Sequence, residues 1–488
     1  MTPGNHKLIT IILVVLLFSS YNCHVRSESN SLLDYSVQFS NKDLNARYIE
    51  KNPTIIELNG ESIEINGHGA EKIGPNVWIR AAGTYVLRGI FCDGQIIVDA
   101  GKNDDIQIVL AGVDITSQSS APIYVLSADK LFLTLAEGTN NYLTDSETYI
   151  YDDGGSNEPD AVIFSKEDLT INGSGTLIVN ANYKHGIVSK DDLKIISGTL
   201  VVNSVEDGLK GTDSIAVRDG TISINARGDG IQSNNTEDPL GGYIYIEDGT
   251  VKIVSGKEGV QAETKVIIKG GNVTIDSVGD SIHANESIAV NGGLISICSE
   301  DDGIHADSSA VFNGGDIRIL DSYEGIESTQ ITINGGKLHV YSQDDGINVA
   351  GGNDQSAVIG RPRHNAFNIS KDAQLLITGG YVYINSQGDG IDANGSIKMT
   401  NGTVIINGPT DNANGALDYD EYFDVHGGLL IAAGSAGMAK VPSSTSSQQF
   451  LAVMTSTIPT ETLAHIQSEA GQEIITMNSV KPFQTLVV

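Results

Sequence analysis

The stretch DDGIHADSSAVFNGGDIRILDSYEGIESTQITINGGKLHVYSQDDGINVA, from Asp301 to Ala350, repeats one phrase three times. An acidic residue, a Gly, an Ile, a polar residue and a small residue make the phrase, as DDGIHA, YEGIES and DDGINV. Upstream it returns as EDGLKG, GDGIQS, KEGVQA and GDSIHA, and downstream as GDGIDA. Its Gly, or the residue in that place, falls at Gly186, Gly208, Gly230, Gly259, Ser281, Gly303, Gly325, Gly346 and Gly390. The steps are 22, 22, 29, 22, 22, 22, 21 and 44. The long step of 29 contains the polar stretch NNTEDPLGG, a seven-residue insertion, and the step of 44 is two periods with an irregular segment from Gly351 to about Lys371.

Three apolar alternations recur in each period. The phrase starts one, as Ile282 with Ala284 and Ile304 with Ala306. A second follows as Ile215/Val217, Val266/Ile268, Ile288/Val290 and Ile397/Met399, and a third as Ile222/Ile224, Val273/Ile275, Ile295/Ile297, Ile317/Ile319 and Val404/Ile406. Period-two alternation over so few residues means strands with one buried face. Asn–Gly–Gly turns at Asn291, Asn313 and Asn334 separate the second and third strands and supply the positive φ of a corner. Strands this short bury nothing alone, but stacked at about 4.8 Å they form continuous inner columns. The expected fold is all-β: a right-handed parallel β-helix of about 22 residues per coil. A leucine-rich repeat would need a Leu scaffold, and a calcium-binding nonapeptide roll would need a period of about nine; neither is present. Less regular early coils are anchored on Ile96–Val98, Ile123–Val125 and Asp160–Val162.

The expected organisation is a signal peptide over residues 1–27, an N-terminal cap or linker over 28–75, the β-helix over 76–440 and a C-terminal capping segment over 441–488. Lys7 followed by the apolar run Leu8–Phe18 has the length of a secretory signal core and is short for a membrane span; an uncleaved anchor is the alternative. Beyond Cys23 only Cys92 and Cys298 remain, too few for a disulfide framework, and Cys298 should face outward beside inward Ile297. With 29 basic and 61 acidic residues the net charge is −32. Such a chain does not neutralise nucleic-acid phosphates, and it repels acidic sugars and anionic membranes unless a cation intervenes. Solubility alone is the plainer account of that charge.

The residue before the Gly is acidic in nearly every period: Asp207, Asp229, Glu258, Asp280, Asp302, Glu324, Asp345 and Asp389. Stacked about 4.8 Å apart, like charges repel by about 1 kcal/mol in water and by more where partly buried. One reading makes each Asp a cap on its own turn. That reading leaves unexplained the doubled carboxylates Asp301–Asp302 and Asp344–Asp345, and Asp389 with Asp392. Hard oxygens clustered on stiff turns suit Ca²⁺, whereas zinc would want a Cys/His cluster. Two residues beyond the Gly, an outward stripe runs Lys210, Gln232, Gln261, His283, His305, Glu327, Asn348 and Asp392. Lys210, His283, His305 and Asn348 are candidate contacts to sugar hydroxyls, an ordinary solvated strand face being the alternative.

The phrases GIHADSS and DDGINVAGGND, the block NGPTDNANGALDYDEYFDVHGGLLIAAGSAGMA (Asn407–Ala439) and the stretch Leu110–Leu143 resemble the bacterial carbohydrate-binding domain-containing β-helix proteins. The resemblance spans about residues 80 to 450 and is most specific at NGALDYD, Asn414–Asp420. It implies a fold like the family-nine pectate lyases, bound calcium, and association with acidic plant polysaccharides and cellulose without lyase activity. On matching phrases it implies metal ligation by Asp302, Asp345, Asp389, Asp418 and Asp420. The chain departs from the family near its C-terminus.

These readings converge on a secreted, Ca²⁺-dependent binder of acidic polysaccharide such as polygalacturonate (pectin), and of cellulose as a further ligand, with no nucleic-acid partner. A polyuronate lyase on the same scaffold is the enzymatic alternative, and a structural surface or adhesion protein the third. A lyase needs a base near the uronate C5 proton, and Lys210 and His305 are at hand, with Arg361 and Arg363 in the irregular segment. Glu206, Asp207 and Asp229 around Lys210 favour its charged form, which argues against catalysis.

Overall fold

Alternating β-branched runs of three to six residues become stable only when paired on both edges and covered on one face. In the structure, a computed structural model, this happens between equivalent runs one period apart. It describes residues 36–48, 52–60, 62–151, 157–350 and 372–488, and the backbone of 9–13. Every regular element among the described residues is a strand, and no helix there could cross a membrane. The chain divides into two compact units, Tyr35–Ser322 and Tyr323–Val488 with Met1–Asp34.

In the first unit the strands come in threes, for example Leu209–Gly211, Ser214–Val217 and Thr221–Ala226. Each pairs in parallel with its counterpart in the next repeat: Leu209 lies opposite Ile231, Ile215 opposite Ile244 and Ile222 opposite Val251. The first strands align Val77, Ile96, Ile123, Ile163, Ile187, Leu209, Ile231, Val260, Ile282 and Ile304 in one column. All ten are 0% exposed, so the column is solid core. The early coil anchored on Asp160–Val162 is corrected by three residues: within the strand Ala161–Ser165 it is Ile163 that lies opposite Ile123 and enters the column. The insertion 234–242 connects Ile231–Ser233 to Tyr243–Ile246 without disturbing either register. Ile297 is buried, Cys298 is partly exposed, and both Cys298 and Cys92 are free thiols.

Residues ahead of the first strands form a strap rather than a simple linker. Val37 and Phe39 pack on Ala216, Tyr245, Ile267 and Ala289, on the outer face of the second strands. Asp43 is 1% exposed, lies 2.9 Å from Lys130 Nζ and accepts the Thr170 hydroxyl at 2.8 Å, while its carbonyl accepts Asn172 Nδ2 at 2.9 Å. Burial alone would raise the Asp43 carboxyl, but Lys130 outweighs it and holds the group at about 2. A buried polar chain continues across the strands: Thr84 donates to Gln107, Gln107 to Thr134 and Thr134 to Asn172.

The second unit repeats the arrangement with Lys337–Ser342, Tyr381–Ser386, Thr403–Asn407 and Leu429–Gly434 as successive third strands. Leu429–Gly434 then pairs antiparallel with Phe483–Val487, which pairs antiparallel with Ala452–Ile458. Ile431, Ala433, Ile458, Ile466, Phe483 and Leu486 close a separate core there. The backbone of Ile9–Leu13 runs parallel to Leu463–Ser468.

Two kinds of Gly serve the corners. In the Asn–Gly–Gly turns the second Gly takes the positive φ, +95° at Gly293 and +91° at Gly315, while none of those Asn residues does. The phrase Gly answers a close approach instead: a Cβ at Gly230 would lie 2.3 Å from Ile253 Cγ2 and 2.5 Å from the Gly259 carbonyl oxygen. Gly230→Ala is therefore expected to overpack the corner and destabilise the fold by about 1–3 kcal/mol. An unchanged urea midpoint would show that the corner has slack.

Candidate functional site

The acidic position of the phrase ends one repeat's turn and lies directly beneath the same position in the next. Its side chain uses that proximity. Asp207 Oδ1 accepts the backbone N–H of Asp229 at 3.0 Å, Asp229 Oδ1 that of Glu258 at 3.3 Å, and Asp280 Oδ1 that of Asp302 at 3.1 Å. At the start of the series His185 takes the role, its Nδ1 accepting the Asp207 N–H at 3.2 Å. In the second unit Asp345 Oδ1 accepts the Asp389 N–H at 2.6 Å, and Asp389 Oδ1 accepts that of Gly415. These five carboxylates are caps, but each caps the following repeat and not its own turn.

The second carboxylate oxygen meets the stripe. Lys210 Nζ lies 3.6 Å from Asp207 Oδ2, and Gln232 Nε2 donates to Asp229 Oδ2. His283 Nδ1 is 2.7 Å from Asp280 Oδ2, and His305 Nδ1 is 3.2 Å from Asp302 Oδ2 and 3.7 Å from Asp280 Oδ2. The two imidazole rings sit 5.0 Å apart, and His283 Nε2 reaches Asn285 Oδ1 at 3.0 Å. Burial lowers the His283 pKa, and the bond to Asp280 more than restores it, so the net shift is upward. In the second unit Asn348 Nδ2 donates to Glu324 Oε2 at 2.6 Å. Much of the polar capacity expected to point at solvent is thus turned back on the ladder.

Two groups of three carboxylates bring ligand atoms within 4.8 Å of one another: Asp280, Asp301 and Asp302, and in the second unit Asp345, Asp389 and Asp392. Asp301 Oδ1 is buried with no hydrogen-bond partner. Burial, then Asp302 and Asp280, push the Asp301 carboxyl up to about 7. Burial, then Asp389, Asp344 and Asp392, hold Asp345 well above the ordinary carboxylate range. Gly388 makes room for these oxygens, since a Cβ there would lie 2.3 Å from Asp344 Oδ1 and 2.4 Å from Asp345 Oδ1. Each group brings three carboxylate oxygens together, one per residue, a hard donor set that fits Ca²⁺, while His283 and His305 add imidazole nitrogens beside Asp280 and Asp302. Asp418 and Asp420 join neither group: Asp418 ion-pairs with Lys440, and Asp420 is exposed. Arg361 and Arg363 lie outside the described residues.

Asp280 is the partner that sequence reading underused, since it touches both histidines and both carboxylates of its group. His185 was also passed over, although it occupies the residue before Gly186 where later repeats carry an acid.

A family model described as "Carbohydrate-binding domain-containing protein" matches residues 73–325, just over half of the chain. The chain belongs to that family. A carbohydrate-binding domain-containing protein of Acetivibrio thermocellus is 50% identical over 190 residues, which cover 39% of this chain and 66% of the relative, slightly under two thirds of its length. A solved structure of the polysaccharide lyase-like protein from C. thermocellum, a gadolinium derivative, is 37% identical with a TM-score of 0.48, over 49% of this chain and 96% of that one. For the carbohydrate-binding domain found here, the ladder is the most elaborated polar feature that its repeat positions.

The ladder carries a pH signature. Burial first, and then Glu258 and Asp207, push the Asp229 carboxyl up to about 8. A carboxyl raised in the folded state binds a proton that the unfolded chain has released. Stability is therefore lost as pH rises from the ordinary carboxylate range, about 4, through about 8. In metal-free buffer the melting temperature should fall across that window, and Asp229→Asn, which keeps the acceptor for Glu258, should flatten the fall. Equal pH slopes for both proteins would refute the assignment.

Proposed function

We propose that this chain is a secreted right-handed parallel β-helix, of about 22 residues per coil, that binds acidic polysaccharide through calcium and performs no catalysis. The handedness follows the rule for parallel crossovers, and export follows Lys7 and the apolar run Leu8–Phe18. The observation that carries the functional reading is the pair of carboxylate groups at Asp280–Asp301–Asp302 and Asp345–Asp389–Asp392. A calcium ion bound there would supply positive charge for a uronate carboxylate to meet. The aspartates would hold it, and the ladder's backbone bonds would hold the aspartates in place. Without such a cation a net charge of −32 opposes any polyanion. Polygalacturonate is the proposed ligand, with cellulose a further one. The non-catalytic reading is supported by Lys210, whose ammonium lies 3.6 Å from Asp207 Oδ2 and is engaged there instead of being presented as a free base.

The test is retention on polygalacturonate and on cellulose with and without chelator, while following unsaturated product and melting. Chelation should lower the melting temperature by several degrees and markedly weaken polygalacturonate retention, and added calcium should restore both. Asp302→Asn with Asp345→Asn keeps the amide acceptors and removes charge, so it should weaken calcium binding and polygalacturonate retention together. Full retention in excess chelator, with unchanged melting, would remove calcium from the mechanism, and accumulating unsaturated product would make the protein a lyase.

A further inference from the structure

Away from the ladder, the outer face of the third strands in the first unit forms an open cleft of about 500 Å³, within the range of small-ligand sites. Thr144, Asn180, Asn203 and Asn225 lie in register on four successive strands and form its floor. Asn203 Nδ2 donates to Asn180 Oδ1 at 3.1 Å, and Asn180 Nδ2 to Thr144 Oγ1 at 3.3 Å. Each amide still has a second N–H and spare acceptor capacity to offer. The polar row stops at the next strand, where Val254 stands opposite Asn225. Three strand spacings give it a length of about 14 Å. Two residues beyond the floor, the exposed Val205 and Arg227 line the same cleft. Among the described residues Arg227 has no ion-pair or hydrogen-bond partner for its guanidinium, in a chain with 61 acidic residues to choose from.

We propose that this cleft is a saccharide subsite for a short stretch of carboxylated chain running along the strand-stacking direction. The amide row takes ring hydroxyls, Val205 meets an apolar ring face, and Arg227 receives one carboxylate through its planar fork. A row of uncharged donors and acceptors with a single cation matches a polyol bearing spaced anions better than it matches a peptide or a nucleic acid. The inference rests on the acidic-polysaccharide reading but needs no metal, so its failure is separable from failure of the calcium sites.

The probes are trigalacturonate and cellotriose, titrated calorimetrically into the full chain in excess chelator. Trigalacturonate should bind, and Arg227→Gln should weaken it about tenfold or more while leaving cellotriose unchanged. Asn203→Leu should abolish binding of both, and if its melting temperature falls, Asn225→Ala on the exposed end of the row replaces it. No binding of trigalacturonate in chelator, or equal affinity of wild type and Arg227→Gln, would overturn the proposal. Calcium-dependent retention on polygalacturonate, measured in Arg227→Gln, reports the ladder site independently: if it persists while the Arg227 effect is absent, only the cleft is wrong.

Discussion

A carboxylate oxygen that accepts the amide of the residue stacked above it, itself a carboxylate bearer, is the bond on which the charged edge depends. Parallel stacking forces equivalent side chains to about 4.8 Å, so an acidic column is repulsive by construction. Directing one oxygen of each carboxylate at a backbone donor spreads that charge onto the sheet's own hydrogen-bonding system. The second oxygen is then free to recruit a side chain, and Lys210, Gln232, His283 and His305 answer it in turn. Where the answering position is itself acidic, at Glu327 and Asp392, charge accumulates, and that is where a cation has most to gain.

The repeated strands present three outer faces with different fates. On second strands of the first unit, the strap residues Val37 and Phe39 cover Ala216, Tyr245, Ile267 and Ala289, which would otherwise be wet. On the first strands the stripe is drawn toward the ladder. The third strands keep an open polar surface, with the cleft above Asn203. The division of labour follows from a simple constraint: the inner positions are committed to the core, so specialisation is confined to every second residue.

The inner columns were legible in advance because burial follows from period and alternation, as Ile282 stacked on Ile304 illustrates. The partner of each Asp was not, since turn statistics describe bonds within a few residues whereas these bonds cross 22 to 44. The carboxylate groups were legible where acids double, at Asp301–Asp302, whereas Asp418, singled out by the motif alone, pairs with Lys440 and joins neither group. The amide row is visible as Asn180, Asn203 and Asn225 recurring at nearly one period, but uncharged amides on an exposed strand face are the ordinary state of a solvated strand and carry no signal of their own. Nothing aperiodic announced Asp43, whose partners lie 127 and 129 residues along the chain.

That strap also solves a problem intrinsic to repetition. Near-identical coils offer nearly isoenergetic pairings displaced by a whole coil, because inward Ile and Val residues fit one another in either alignment. Asp43 fits only beside Lys130, Thr170 and Asn172, and Val37 and Phe39 only beside Ala216, Tyr245, Ile267 and Ala289. A slip by one coil would strand the Lys130 ammonium and the Asp43 carboxylate apart in a buried setting, at a cost of several kcal/mol. The strap therefore acts as a ruler laid across the stack, making the count of coils between its two ends a property that folding can check.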